Sequence, residues 1–353
     1  MELAIMDNEP AAAMRIGATP CPDCAVCGAA GVEIYRDQSD RLFGAQGSWT
    51  FKRCSGPDCG LIWLDPMPRA DEIWKAYANY YTHHAAAGRG SGTMGRLLMA
   101  MEAGYLAGKF GYAGKGGMSQ ALGRLLYLLP LRRRGVEGDV RFLDAVPGGK
   151  LLDVGCGSGD WLLAMRERGW RVAGTDFDEN AVNFAKKRGL DVVCGALEAQ
   201  NFAANGFDAV TLSHVIEHVP DPLAELKECL RILKPGGKLV LFTPNGDSLS
   251  HKVFKRDWRG LEPPRHLHIF SMNSMRRLLE SAGFRQNSVR PHVARSVILD
   301  SRRLQRAGRG TAANQTTTTG DKLYARAFNL IEGCLLKWRP SAADCVAAIG
   351  IKG

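Results

Sequence analysis

The chain has 353 residues, 45% of them hydrophobic, and a net charge of +10, enough to bury a substantial core and, by length, to form about two domains. The basic excess suits an acidic partner such as nucleic acid, an anionic membrane surface or a phosphorylated substrate, and selects none of them. Apolar runs such as LLYLLPL (125–131) fall well short of the roughly 18 residues of a spanning helix, so no transmembrane segment is expected.

The opening MELAIMDNEPAAAMRIGATP carries early acids and no basic region ahead of an apolar core, so it does not read as a secretory leader and the expected address is the cytoplasm. Ten cysteines in such a chain argue against a disulfide framework, because the cytosol keeps thiols reduced. Five of them crowd the first sixty residues, in CPDCAVCG (21–28) and CSGPDCGLIWLDP (54–66). Two glycine-flanked knuckles of this kind suit a tetrahedral Zn2+ site, which closes a small module without a large core. The remaining cysteines, Cys156, Cys194, Cys229, Cys334 and Cys345, are scattered and read as small apolar residues.

Residues 66–146 have helical pattern in DEIWKAYANYY, GRLLMAMEAGYLAGKF and ALGRLLYLLPLRRR, with glycine-rich breaks between them. They predict a connector or lid. The LLYLLPLRRR stretch fits a membrane surface and a buried helix with a basic end equally well.

From Lys150 the period changes. KLLDVG, WRVAGTD, LDVVCG, FDAVTLS and GKLVLFTP are short β-rich runs separated by helical or turn segments, which predicts α/β architecture with a parallel sheet covered on both faces. Asp221-Pro222 caps a helix that stops at LKPGGK (233–238), and Ser271 opens another closed by Gly283. A strand is expected near 286–298, followed by a basic stretch bearing Arg302, Arg303, Arg306 and Arg309 and read as a solvated face. The polar tract TAANQTTTTG (311–320) reads as a mobile loop within a basic insertion spanning about 300–321. A helix near 322–338 and the apolar run DCVAAIGI (344–351) complete the chain.

LLDVGCGSGDW (151–161) raises the question of what its glycines hold. A dinucleotide-binding turn would need glycine at 160, where the chain has Asp160; the pattern is Asp153-x-Gly155-x-Gly157-x-Gly159. With Asp176 closing the next strand, CGALE (194–198), FDAVTLSHVIEHVPDP (207–222) and LKPGGKLVLFTPN (233–245), the chain resembles the class I S-adenosylmethionine-dependent methyltransferases, including the ubiquinone-pathway O-methyltransferases. The resemblance implies a Rossmann-like sheet. It also implies a cofactor site of Asp153, Gly155, Gly157 and Gly159 around the methionine part, and Asp176 with Phe177 at the ribose. Ala196 and Leu197 would lie at the adenine, and Ser213 at the end of the fourth strand. The charges agree: the cofactor carries an ammonium and a sulfonium and no phosphate, so a strand-end carboxylate is a favourable neighbour.

A subset of bacterial methyltransferases carries a similar N-terminal zinc-ribbon segment ending in a CGL-x-x-x-x-P stretch and a tyrosine-bearing helix, matched here by CGLIWLDPMP with Tyr77, Tyr80 and Tyr81. That resemblance implies Cys24, Cys27, Cys54 and Cys59 as structural zinc ligands and leaves Cys21 as a spare or a register alternative. The division expected is a zinc-ribbon-like module at 1–65, a helical connector at 66–146 and the cofactor-binding domain at 147–353.

For methyl transfer the protein must align a nucleophile and remove its proton where needed. SHVIEHVPDP, at the ligand edge of the sheet, offers His214, Glu217 and His218, which read equally as catalytic residues and as loop braces. The second offering is LEPPRHLHIFS (261–271), with His266 and His268; a similar Pro-x-His-x-x-x-Phe stretch covers the substrate pocket in related enzymes, which selects His266. The expected reaction is methylation of oxygen, nitrogen or carbon on a small-molecule acceptor, whether sugar, quinone-like or lipid-linked. The alternatives are an RNA methyltransferase that uses the zinc module for recognition and a non-catalytic cofactor-binding scaffold.

Overall fold

The computed structural model describes residues 15–78, 93–113, 116–293 and 297–353. Most of the leader reading and the tyrosines Tyr80 and Tyr81 lie outside the described residues.

Among the described residues, seven strands form the main sheet. The five β-rich runs become β4 (Lys150–Val154), β5 (Arg171–Asp176), β6 (Asp191–Cys194), β7 (Phe207–Ser213) and β8 (Leu233–Pro244), all parallel. Two more strands, β10 (Gln286–His292) and β11 (Cys345–Ile351), complete the spatial order β10-β11-β8-β7-β4-β5-β6. The run 344–351, whose secondary structure the sequence left open, is therefore an inserted strand. It pairs antiparallel with both β8 and β10, Pro244 opposite Cys345 and His292 opposite Cys345. The chain steps from β4 outward to β6 and then returns to place β7 on the other side of β4. That reversal opens a crevice at the carboxyl ends of β4 and β7, where open α/β sheets hold their ligands.

Helices cover the sheet: α4 (Asp160–Glu167), α5 (Glu179–Lys187), α6 (Pro222–Ile232) and α8 (Met272–Ala282). Their starts follow the sequence signals. Asp221 accepts from the amides of Leu223 and Ala224, with Pro222 at the first helical position. Ser271 and Ser274 form a reciprocal capping box, and Gly283 ends α8 with φ +102°, the left-handed region that glycine enters without a Cβ penalty.

The connector supplies α1 (Thr93–Phe110), α2 (Gly116–Gly123) and α3 (Pro130–Asp139). Residues 121–134, expected as one helix, divide into the end of α2, a 3-10 turn at Arg124–Leu128 and the start of α3, where Pro130 has no amide to continue a helix and opens a new one. Leu126 is buried, whereas Leu125, Tyr127, Leu128 and Leu129 are exposed.

The N-terminal segment forms β1 (Gly31–Gln38), β2 (Trp49–Cys54) and β3 (Ile62–Leu64), an antiparallel sheet. Its fourth strand comes from far along the chain: β9 (His268–Ile269) pairs with Trp63 and Ile62. The cores are continuous as well, with Cys59, Leu61 and Trp63 in the same apolar cluster as Leu152, Val154 and Phe270.

Beyond the carboxyl edge lie α7 (Leu249–Phe254), α9 (Val297–Ala307) and α10 (Thr319–Leu335). The expected strand at 286–298 ends at His292, and residues 297–307 are helical because Ile298, Ser301 and Leu304 fall on one buried face. Most arginines of the basic stretch are not a free solvated face. Arg302 and Arg306 approach Asp321 (3.5 and 3.2 Å), while Arg303 bonds Asp300 and the carbonyl of Gln315. Among the described residues no helix is long and apolar enough to cross a membrane.

Candidate active site and cysteine cluster

The glycine turn at the end of β4 is built by backbone geometry that side chains resist. Gly155, Gly157 and Gly159 have φ of +69°, +53° and +77°. A Cβ on Gly155 would lie 2.4 Å from Val215 and one on Gly159 2.3 Å from Leu190, whereas at Gly157 it would enter open space. The amide of Gly157 donates to Asp176 Oδ2 (2.7 Å), and the amide of Asp178 donates to Oδ1 (2.9 Å). Asp176, mostly buried, is thereby held at the rim of that space.

Asp153 is fully buried. Arg141 forms an ion pair with its Oδ1, which also accepts from the Thr211 hydroxyl (2.8 Å). Burial pushes the Asp153 carboxyl above its usual range, Arg141 and Thr211 oppose this, and Asp176 adds to it. Arg141 is itself stacked 3.6 Å from the centre of the Trp161 ring. Neither Arg141 nor Thr211 was singled out in the sequence, since Arg141 reaches Asp153 from the turn after α3 and Thr211 from the neighbouring strand. Of the other expected cofactor residues, Phe177 projects into solvent (76% exposed) and Ala196 and Ser213 are half-buried. Leu197 lies wholly in the core, 1% exposed.

The end of β7 carries the histidine cluster. His214 adopts φ +57°, and its Nδ1 lies 3.1 Å from Glu217 Oε1. Glu217 is fully buried, and its Oε2 has no partner within the described residues. Burial acts to raise the Glu217 pKa, but the His214 hydrogen bond and the charges of His214, His218 and His266 prevail and pull it down to about 2. His218 Nδ1 donates to the carbonyl of Arg265 (2.9 Å), and the Tyr77 hydroxyl stands 3.1 Å from the same nitrogen. His266 Nδ1 donates to the carbonyl of Gly260 (2.7 Å), and the rings of His218 and His266 are 4.8 Å apart. Burial lowers the pKa of both, so each is a neutral imidazole at neutral pH.

The structure thus brings His214, Glu217, His218 and His266 together. It keeps His268 apart as a buried residue of β9, its pKa lowered by burial to about 4. Three participants were not expected at this cluster: Tyr77, which the sequence reading placed only in the helix after the ribbon, Arg265 and His292. Arg265 has no exposed side-chain surface and bonds Asp40 (2.9 Å), Glu262 (2.8 Å) and the carbonyl of Ala76, which fixes the His266 segment against the N-terminal module. His292, at the end of β10, is lowered to about 4 by burial and then by His214. The chemistry of these residues in isolation offers no sign of such contacts.

The cysteines converge as expected. Cys24 Sγ lies 3.6 Å from Cys59 Sγ and Cys27 Sγ 3.3 Å from Cys54 Sγ, with all four sulfurs within 4.8 Å of one another. Tetrahedral Zn–S bonds of about 2.3 Å put sulfurs roughly 3.8 Å apart, so the donor set fits. Cys21 is outside the cluster; its amide donates to Asp65 and its carbonyl accepts from the Trp63 indole (both 2.8 Å).

A cavity of about 720 Å³ lies at the opposite, amino-terminal edge of the sheet, lined in part by Lys109, Lys238, Arg285 and Arg290. It touches none of the residues above.

Residues 128–289 match the family model described as a methyltransferase domain. The ubiquinone biosynthesis O-methyltransferase of Idiomarina loihiensis is 42% identical over 109 residues, 29% of this chain and 45% of that protein. The demethylmenaquinone methyltransferase of Bacillus cereus is 36% identical over 111 residues, 29% of this chain and 47% of that protein. The chain spans about half the length of these curated relatives. Among solved structures, a SAM-dependent methyltransferase of Thermotoga maritima, titled a possible histamine N-methyltransferase, has 19% identity and a TM-score of 0.42, covering 66% of this chain and 95% of its own.

Proposed function

We propose that this chain, whose residues 128–289 match a methyltransferase domain, transfers a methyl group from S-adenosylmethionine to a hydroxyl of a small-molecule acceptor, quinone-like or lipid-linked. The observation that carries the reading is the glycine turn at the switch point of the sheet. It combines open space at Gly157 with the Asp176 carboxylate held at its rim, while Asp153 is buried behind the turn on Arg141. That rim repels phosphates and favours a cationic ligand. The quinone-pathway names of the curated relatives support the acceptor class.

Asp176 would hold the ribose hydroxyls, the backbone at Gly155–Gly159 the methionine part, and Phe177, Ala196, Leu197 and Ser213 the flanks. S-adenosylmethionine supplies an electrophilic methyl on sulfur. The chain's own task is then to orient the acceptor and take its proton. We assign that proton to His218, a neutral imidazole whose Nδ1–H is fixed by the Arg265 carbonyl, leaving Nε2 as the base. Glu217 stays ionised and stabilises the imidazolium that forms, while His214 and His266 orient the pair. The ribbon at 1–65, with Zn2+ on Cys24, Cys27, Cys54 and Cys59, serves as a wall rather than a catalyst, since four thiolates leave no open position. The connector at 66–146 brings Tyr77 to His218, and 147–353 holds the cofactor.

Calorimetry should show S-adenosylmethionine binding by the purified chain and its loss in Asp176→Ala; absence of binding by the unaltered chain overturns the reading. With a quinol acceptor, the acid limb of the kcat/KM profile should fall below pH 6.5, because burial lowers His218, and His218→Gln should remove that limb together with about a hundredfold or more of the rate.

A further inference from the structure

The outer face of α10 is apolar where a surface helix is ordinarily polar. Leu323, Ala327, Leu330, Ile331 and Cys334 recur at helical spacing and face solvent, as does Trp338 in the turn that follows the helix, with Leu330 62%, Ile331 57% and Trp338 77% exposed. The inner face carries Ala325 and Phe328, packed in the cluster with Phe51, Phe254 and Ile269. The acids of the helix point inward as well. Asp321 is 2% exposed and lies against Arg302 and Arg306; Glu332 is fully buried and accepts from the amide of Asp344. The exposed charged side chains from 319 to 339 are therefore all cations: Lys322, Arg326, Lys337 and Arg339.

We propose that this face docks the protein on an anionic lipid surface. A helix of 17 residues with an apolar stripe, a tryptophan in the turn just beyond it and a cationic flank meets the requirements of an interfacial helix that lies in the bilayer plane. The cations meet anionic headgroups while the stripe enters the acyl boundary. Charge argues against a second copy as the occupant, because apposing two such faces sets cation against cation. The place of the face in the fold gives the docking a use. Asp344, bonded to Glu332, also accepts from the amide of Asn245 just after β8, and Asn245 Nδ2 donates to the carbonyls of Ser341 and Ala343. The end of α10 is thus tied to the sheet edge that holds the crevice. Delivery of a bilayer-held acceptor to that crevice rests on the methyl-transfer reading; the docking does not.

Flotation of the full chain with vesicles of phosphatidylcholine alone and of phosphatidylcholine mixed with phosphatidylglycerol tests the proposal. The chain should float with the anionic vesicles, and at least about tenfold less with the neutral ones or in high salt. Leu330→Glu/Ile331→Glu should abolish flotation while circular dichroism and S-adenosylmethionine binding stay unchanged. Asp176→Ala should float like the unaltered chain, so loss of the cofactor reading and loss of the docking reading are distinguishable. Failure of the unaltered chain to float, or equal flotation by the double variant, overturns the proposal. A dimer that the double variant dissociates, with no flotation, reassigns the face to self-association.

Discussion

At the scale of single residues, the glycine turn separates two demands that a sequence pattern merges. Gly159 needs its missing Cβ for packing against Leu190, whereas Gly157 needs it to keep the crevice open. Gly159→Ala should cost about 1–3 kcal/mol in chemical denaturation. Gly157→Ala should cost about 1 kcal/mol for its left-handed backbone yet weaken S-adenosylmethionine binding by calorimetry more than Gly159→Ala does. Buried ionisable groups give opposite pH slopes. Glu225, raised to about 7 by burial and then by Glu198 and Glu228, is protonated in the fold, so its support is complete below its ordinary 4.5 and fades as pH rises through about 7. Glu225→Gln should match the unaltered chain near pH 4.5 and be more stable by about 1–3 kcal/mol near pH 8. His268, lowered to about 4, supports the fold above its ordinary 6.5 and loses that support as pH falls through about 4. His268→Gln should therefore lose less melting temperature than the unaltered chain over that interval.

At the scale of elements, two residues of β9 do a disproportionate share of the assembly. They complete the N-terminal sheet opposite Trp63 and Ile62, and the segment before them is held by Arg265 between Asp40 and Glu262. Removing that guanidinium leaves the buried Asp40 carboxylate with backbone amides alone, those of Leu42, Phe43 and Ala45, and Glu262 with Arg259 as its remaining cation. Arg265→Ala should lower stability by about 3–5 kcal/mol in denaturant unfolding. Arg265→Lys, which keeps the charge but not the forked geometry, should recover only part of it. The same segment carries His266 and the carbonyl that holds His218, so Arg265→Lys should also lower kcat with little change in S-adenosylmethionine affinity.

At the scale of the whole molecule, the cysteine cluster and the cofactor crevice share one apolar core. If that core is one cooperative unit, removing the zinc proposed for the cluster is felt at a distance. Chelator treatment should lower the melting temperature of the entire chain and keep a single calorimetric transition. Two separated transitions, with the cofactor-stabilised one unmoved by chelator, would show that module and sheet unfold independently.

The order of strands from β4 to β8, the glycine turn, the helix caps and the four converging thiols were legible in the sequence, because each depends on local periodicity, turn chemistry or a spacing characteristic of its ligand. His214, Glu217 and His218 were legible as a group for the same reason, lying within a few residues of one another. The rest depends on residues far apart in the chain: Thr211 on Asp153 across strands, Tyr77 on His218, Arg265 on Asp40, and the insertion of 345–351 between β8 and β10. No spacing rule encodes such pairs. They form only when the crossovers of the sheet bring distant segments to one edge, and burial then decides which partners a charged side chain must have.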